Sequence, residues 1–100
     1  MRFDFSRLGP DAWIRFEGDF TLAHARRARS VFDKVIGFAT GRITVDLTDV
    51  AYIDSSGLAT LVDASQRIRK AGGTMRLHGV HDRLMAVIDL VGLRSILAFE

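Results

Sequence analysis

Two spacings of apolar residues alternate along this chain, and they mark out its elements before any other property is considered. Arg2–Leu8 and Ala12–Phe16 alternate apolar with polar positions, the second through Ala12, Ile14 and Phe16. A period of two is the spacing of a strand with one buried face. Gly9-Pro10-Asp11 between them is a turn signal, so the two runs are expected to pair as strands of a hairpin. Gly18-Asp19-Phe20-Thr21 then opens a helix, with Thr21 as its N-cap. Behind it Leu22, Ala25, Ala28, Phe32, Val35 and Ile36 recur at helical spacing, while Arg26, Arg27, Arg29 and Asp33 fall largely on other faces. Gly37 is the expected stop.

The pattern changes again at Arg42-Ile43-Thr44-Val45-Asp46-Leu47, whose β-branched residues predict a strand. Val50-Ala51-Tyr52-Ile53 continues its apolar character. A second helix is expected from near Ser56, with Leu58, Leu61, Val62, Ser65 and Ile68 as its buried stripe and Gly72-Gly73 as its end. Arg67, Arg69 and Lys70 sit in its last turns, where cations complement the helix dipole. Thr74–His78 reads as a strand. Asp82 is placed to cap a third helix carrying Leu84, Val87, Ile88 and Val91, and Ser95–Phe99 reads as a last short strand. The order ββαβαβαβ predicts an α/β domain with a mixed, mostly parallel sheet.

Composition narrows the class. One hundred residues suit a single domain, expected over 1–100. Hydrophobic residues at 48% and charged residues at 26% belong to a folded chain rather than a disordered one. The absence of cysteine excludes disulfides and thiolate metal sites. No apolar run approaches the roughly 18 residues of a membrane span, and the N-terminal residues lack the apolar core of a signal peptide, so a cytoplasmic location is expected. The net charge is a mild +2. Its densest basic cluster, His24-Ala25-Arg26-Arg27-Ala28-Arg29, reads as a solvated helix face. No aromatic residues interleave with these arginines to stack on nucleic-acid bases.

The candidate chemistry lies in Ile53-Asp54-Ser55-Ser56-Gly57-Leu58, where a strand hands over to a helix. The first N–H groups of a helix lack partners, and its dipole leaves partial positive charge there. Ser55 or Ser56 is placed to cap those donors. Gly57 leaves the backbone bare for the close approach of another molecule. A phosphate on a serine here would add nearly two negative charges at a position that tolerates anions.

Val45-Asp46-Leu47-Thr48-Asp49-Val50-Ala51-Tyr52-Ile53-Asp54-Ser55-Ser56-Gly57-Leu58 closely resembles the signature of the STAS domain family, in its anti-sigma-factor antagonist branch. The resemblance continues through Arg67–Leu77 and Asp89-Leu90-Val91-Gly92-Leu93. It implies helices packed mainly on one face of the sheet. It also implies a regulatory switch: the unphosphorylated domain binds an anti-sigma factor that is a serine kinase, phosphorylation releases it, and a phosphatase restores it. By position, Ser55 is the implied acceptor. Asp54, Ser56 and Gly57 frame it, and Asp19 and Thr21 stand on the kinase-facing surface. The chain departs from the pattern at Thr21, where an acidic residue is common, and at Ala59, where a glycine is. STAS domains also serve as accessory parts of membrane transporters, the alternative role.

Enzymatic function is not expected. Ser55, His78 or His81 and an aspartate make a triad only on paper, because Asp-Ser-Ser-Gly is not a Gly-x-Ser-x-Gly elbow and no oxyanion loop is evident. Neither a cofactor nor a metal ion is expected. No Walker-type loop is present, and the histidines lack metal-ligand spacing and read as surface or loop residues.

Overall fold

Gly9, at φ +60°, turns the chain between two antiparallel strands in the computed structural model, which describes residues 1–100. These strands are β1, Arg2–Leu8, and β2, Asp11–Phe20. Helix α1, Leu22–Ile36, leads to β3, Arg42–Ile53, and helix α2, Ser55–Lys70. Strand β4, Thr74–His78, and helix α3, Asp82–Leu90, complete the regular elements. The sheet order is β1-β2-β3-β4, with β2, β3 and β4 mutually parallel and β1 antiparallel on the edge. This is the mixed, mostly parallel α/β sheet that the alternation of elements predicts.

The pleat sorts the side chains. Ala12, Ile14 and Phe16 of β2, Ile43, Val45 and Leu47 of β3, and Met75 and Leu77 of β4 are buried in one apolar core. Helix α1 adds Ala28, Val31, Phe32 and Val35 to it, α2 adds Leu58, Leu61, Ala64 and Ile68, and α3 adds Leu84 and Ile88. The rings of Phe16, Phe20 and Phe32 meet at its centre, with centroids 5.3 Å and 5.8 Å apart. Burying each is worth about 1.5–3 kcal/mol. The other face of β2 carries Trp13, Arg15 and Glu17, all exposed, and Arg15 pairs with Asp49 of β3.

Four boundaries differ from the sequence pattern. Gly18, Asp19 and Phe20 extend β2 rather than opening the helix, because register shifts between Arg15 and Glu17 and between Gly18 and Asp19 let a longer strand stay paired with β3. Helix α2 begins at Ser55, with Asp54 as its N-cap. His81, not Asp82, caps α3. The expected last strand shrinks to one parallel bridge, Leu77 with Phe99, because residues 94–97 form turns instead. In that bridge the Leu77 N–H donates to the Ala98 carbonyl at 2.9 Å and the Glu100 N–H to the Leu77 carbonyl at 2.9 Å.

Candidate functional site

Strands β2 and β3 run parallel and end side by side, with Phe20 opposite Ile53. Each then feeds a helix, so the N-termini of α1 and α2 open at the same edge of the sheet. This is the carboxyl end of the parallel strands β2 and β3. Both helix starts present unpaired N–H groups and positive dipole ends there.

Asp54 serves both. Its Oδ1 accepts the Gly57 N–H at 2.9 Å, which caps α2, and its Oδ2 accepts the Leu22 N–H at 3.0 Å, at the start of α1. Its own N–H donates to the Phe20 carbonyl at 3.2 Å. Neither helix has an acidic residue in its first turn, so one carboxylate serves two positive ends. The hydrogen bonds from Gly57 and then Leu22 hold the Asp54 carboxyl below its ordinary value. Two sequence assignments change as a result. The serines do not cap α2, since Asp54 does. Thr21 occupies the N-cap position of α1, but its side chain makes no cap bond, and the carboxylate of Asp54 reaches across from β3 instead.

With capping done by Asp54, Ser55 stands exposed as the first residue of α2. Ser56 is half-buried, and its carbonyl accepts the Thr60 hydroxyl at 2.8 Å. Gly57 is buried, and what approaches it is the protein itself. A Cβ at Gly57 would collide with the Phe20 carbonyl oxygen and lie 2.7 Å from Ile53 Cγ1. Its missing side chain lets α2 sit directly on the end of β2. The expectation that Gly57 stays bare for another molecule is corrected on this point. Asp19, exposed, and Thr21, half-buried, lie at the same edge as Asp54, Ser55, Ser56 and Gly57, since Asp19 pairs with Tyr52 in the β2–β3 ladder. The fold thus brings the sequence-selected residues together.

Around them lies apolar surface. A groove of about 480 Å³ runs from Ser55 along Leu58, Ala59 and Val62 of α2 to Val91 and Leu93, just beyond α3. Asp63 is the only ionisable residue lining it. Leu22 and Tyr52, at the ends of the flanking elements, are also exposed.

The basic cluster is partly engaged within the fold. Arg27 lies 4.9 Å over the Phe3 ring and Arg29 reaches Asp63 at 3.4 Å, while Arg67 bridges Asp33 at 2.6 Å and Asp63 at 3.7 Å. The histidines have more structure than the sequence suggests. His81 Nδ1 accepts the Leu84 N–H at 3.3 Å, which leaves Nε2 to donate to the Val50 carbonyl at 2.9 Å. His78 lies in β4 with its ring 5.1 Å from that of Trp13. Sequence reasoning also missed a side-chain contact within β3, where Asp46 Oδ1 accepts the Thr48 N–H at 3.0 Å and the Thr48 hydroxyl at 2.5 Å. Burial pushes the Asp46 carboxyl up, but these bonds outweigh it and hold it below its ordinary value. For His81 the available signal was its place just before a helix, and for Asp46 it was a threonine two residues on.

A family model described as the STAS domain matches residues 5–100. The chain belongs to the STAS domain family. It is 31% identical over 91 residues to the anti-sigma-B factor antagonist of Listeria monocytogenes, a match covering 90% of this chain and 77% of that protein. It is 34% identical over 55 residues to the anti-sigma-B factor antagonist of Bacillus subtilis, covering 55% of this chain and only 50% of that one. Among solved structures, the unphosphorylated anti-sigma factor antagonist SpoIIAA superposes with a TM-score of 0.77 at 17% identity, over 99% of this chain and 87% of that one. A sulfate transporter family protein from Wolinella succinogenes gives 0.78 at 23% identity, over 90% and 76%. At these identities the superpositions speak for the fold alone. They show the STAS fold adopted both by an antagonist and by a protein of a transporter family.

Proposed function

We propose that this chain is an anti-sigma-factor antagonist that works by binding in the cytoplasm, as one STAS domain over residues 1–100, and not by catalysis. Unphosphorylated, it binds an anti-sigma factor that is also a serine kinase. Phosphorylation of Ser55 releases it, and a phosphatase restores binding. The surface that docks the kinase contains Asp19, Thr21, Asp54, Ser55, Ser56 and Gly57, the buried Gly57 contributing by bringing α2 onto β2.

The observation that carries this reading is the exposed Ser55 in the lining of an apolar groove that contains no cation. A phosphate there adds roughly 1.5–2 negative charges beside Asp54 and on the same groove as Asp63. Apolar docking over that groove then requires desolvating the phosphate, which is unfavourable unless the partner supplies a matching cation. The antagonist names carried by the Listeria and Bacillus relatives support the same reading.

Calorimetric titration against the kinase-type partner tests it. Ser55→Asp is expected to weaken binding by about 1–3 kcal/mol, and Ser55→Ala to bind while resisting phosphorylation. Ser56→Ala should still be phosphorylated, as mass spectrometry of the phosphosite would show. If Ser55→Asp binds like the unaltered protein, or phosphate maps away from Ser55, the switch is wrong and the transporter-accessory role takes its place.

A further inference from the structure

Asp54 holds two helix starts with one rigid group. Its oxygens are fixed relative to each other, so it cannot turn away from the Gly57 N–H without disturbing its grip on the Leu22 N–H. The two donors differ in what else is within reach. Gly57 lies in the first turn of α2, where a phosphate on Ser55 would bring three strong acceptor oxygens to the same N–H groups. Leu22 has no such substitute, because the Thr21 side chain does not cap α1 and no acidic residue stands in its first turn.

We propose that Asp54 couples the state of Ser55 to the start of α1: a phosphate on Ser55 displaces the Asp54 carboxylate from the Gly57 N–H and thereby frees the Leu22 N–H. The inference rests on the reading of Ser55 as a phosphoacceptor. Phosphorylation then acts at two places. It charges the lining of the groove, and it loosens the Asp19–Thr21 end of the docking surface through the α1 start. Repulsion between the phosphate and the adjacent carboxylate drives the exchange in the same direction. The change stays local, because the Asp54 N–H still ties β3 to the Phe20 carbonyl of β2 at 3.2 Å. Asp54 is thus a positioning residue for the switch.

The test places phosphoserine at position 55 during synthesis, so that no kinase is needed, and follows amide hydrogen exchange of the whole chain by nuclear magnetic resonance. The Leu22 amide is expected to exchange faster in the phosphorylated chain, on the order of tenfold, the scale of losing a helix cap. The Gly57 amide should keep its protection, with its bond transferred to the phosphate. Treatment with a non-specific phosphatase should restore the Leu22 rate. In Asp54→Asn, which offers one oxygen in place of two, Leu22 should exchange fast from the start and respond little to phosphate. An unchanged Leu22 rate in the phosphorylated native sequence overturns the coupling, as does equal acceleration at Leu22 and Gly57. A full phosphate response in Asp54→Asn overturns it too. If that variant fails to fold, the comparison within the native sequence still decides. The exchange result is independent of any partner. Coupling in a chain that the calorimetric titration shows no kinase-type partner to bind would sink the proposed function and leave this inference standing, and a working switch with an indifferent Leu22 would do the reverse.

Discussion

Gly57→Ala separates two explanations of the glycine that follows the serines. If Gly57 were needed so that a partner could come close, the alanine variant would be as stable as the native chain and would bind poorly. The packing around it predicts otherwise. Alanine in place of glycine inside a helix gains roughly 0.5–1 kcal/mol. Against this, the new methyl would overlap the Phe20 carbonyl oxygen and sit 2.7 Å from Ile53 Cγ1 and 3.0 Å from Phe20 Cδ1. The carbonyl cannot swing aside, since it belongs to β2 and accepts the Asp54 N–H at 3.2 Å. Phe20 and Ile53 are buried in the core. The start of α2 must therefore lift off the strand end, an overpacking cost of about 1–3 kcal/mol or more. The steric cost exceeds the propensity gain, and a net loss of roughly 1–2 kcal/mol is expected. Urea unfolding followed by circular dichroism should show a lower midpoint with an unchanged slope. In a thermal scan each kcal/mol corresponds to about 4–8 °C for a domain of this size. A midpoint equal to or above that of the native chain would refute the packing argument and return Gly57 to the partner-facing explanation.

Two further substitutions probe the supports of the site. His81→Ala removes the cap of α3 and the donor to the Val50 carbonyl, so a loss of about 1–3 kcal/mol is expected in the same unfolding assay. A loss within about 0.5 kcal/mol, the scatter of an ordinary surface change, would show that these bonds contribute nothing. Acid should destabilise the domain through Asp54 and Asp46, both held below their ordinary values in the folded state. For a depressed carboxyl, the stabilisation is complete above the unfolded pKa of about 3.9. It is lost as pH falls through the lower folded value. The unfolding midpoint should therefore fall as pH drops below about 4, and the fall should flatten in the Asp54→Asn, Asp46→Asn double variant. An equally steep fall in that variant would assign the acid sensitivity to other carboxylates.

Much of this architecture is carried by local pattern. The alternation of Ala12, Ile14 and Phe16 and the helical spacing of Ala28, Phe32 and Val35 reappear as buried faces, because burial is what generates such periods. Val31 escaped notice since it widens the stripe without changing its period, and Leu22, at the helix start, is exposed despite fitting it. The misplaced boundaries share another cause. Gly18 and Asp19 are poor strand formers locally, yet pairing with Val50 and Tyr52 across the sheet keeps them extended. Ser95–Phe99 has strand-like residues but only one bridge to hold them, so turns win over most of the segment.

Asp54 shows most clearly what a one-dimensional pattern leaves out. The Asp-Ser-Ser-Gly run points to a helix start, and any of its first three residues is a good N-cap by type. Which one caps depends on where α2 must sit. Gly57 lets the helix start rest against Phe20, the cap falls to Asp54, and Ser55 is released to solvent. That same seating brings Leu22, 32 positions earlier in the chain, onto the second oxygen of the carboxylate. A long-range bond of this kind has no period and no spacing, so sequence pattern cannot announce it. Ser55, the proposed acceptor, was legible because its neighbours match a family signature. Its exposure follows from a contact that only the folded chain contains: Asp54 satisfies both helix starts, and the adjacent hydroxyl is left without a structural task in capping.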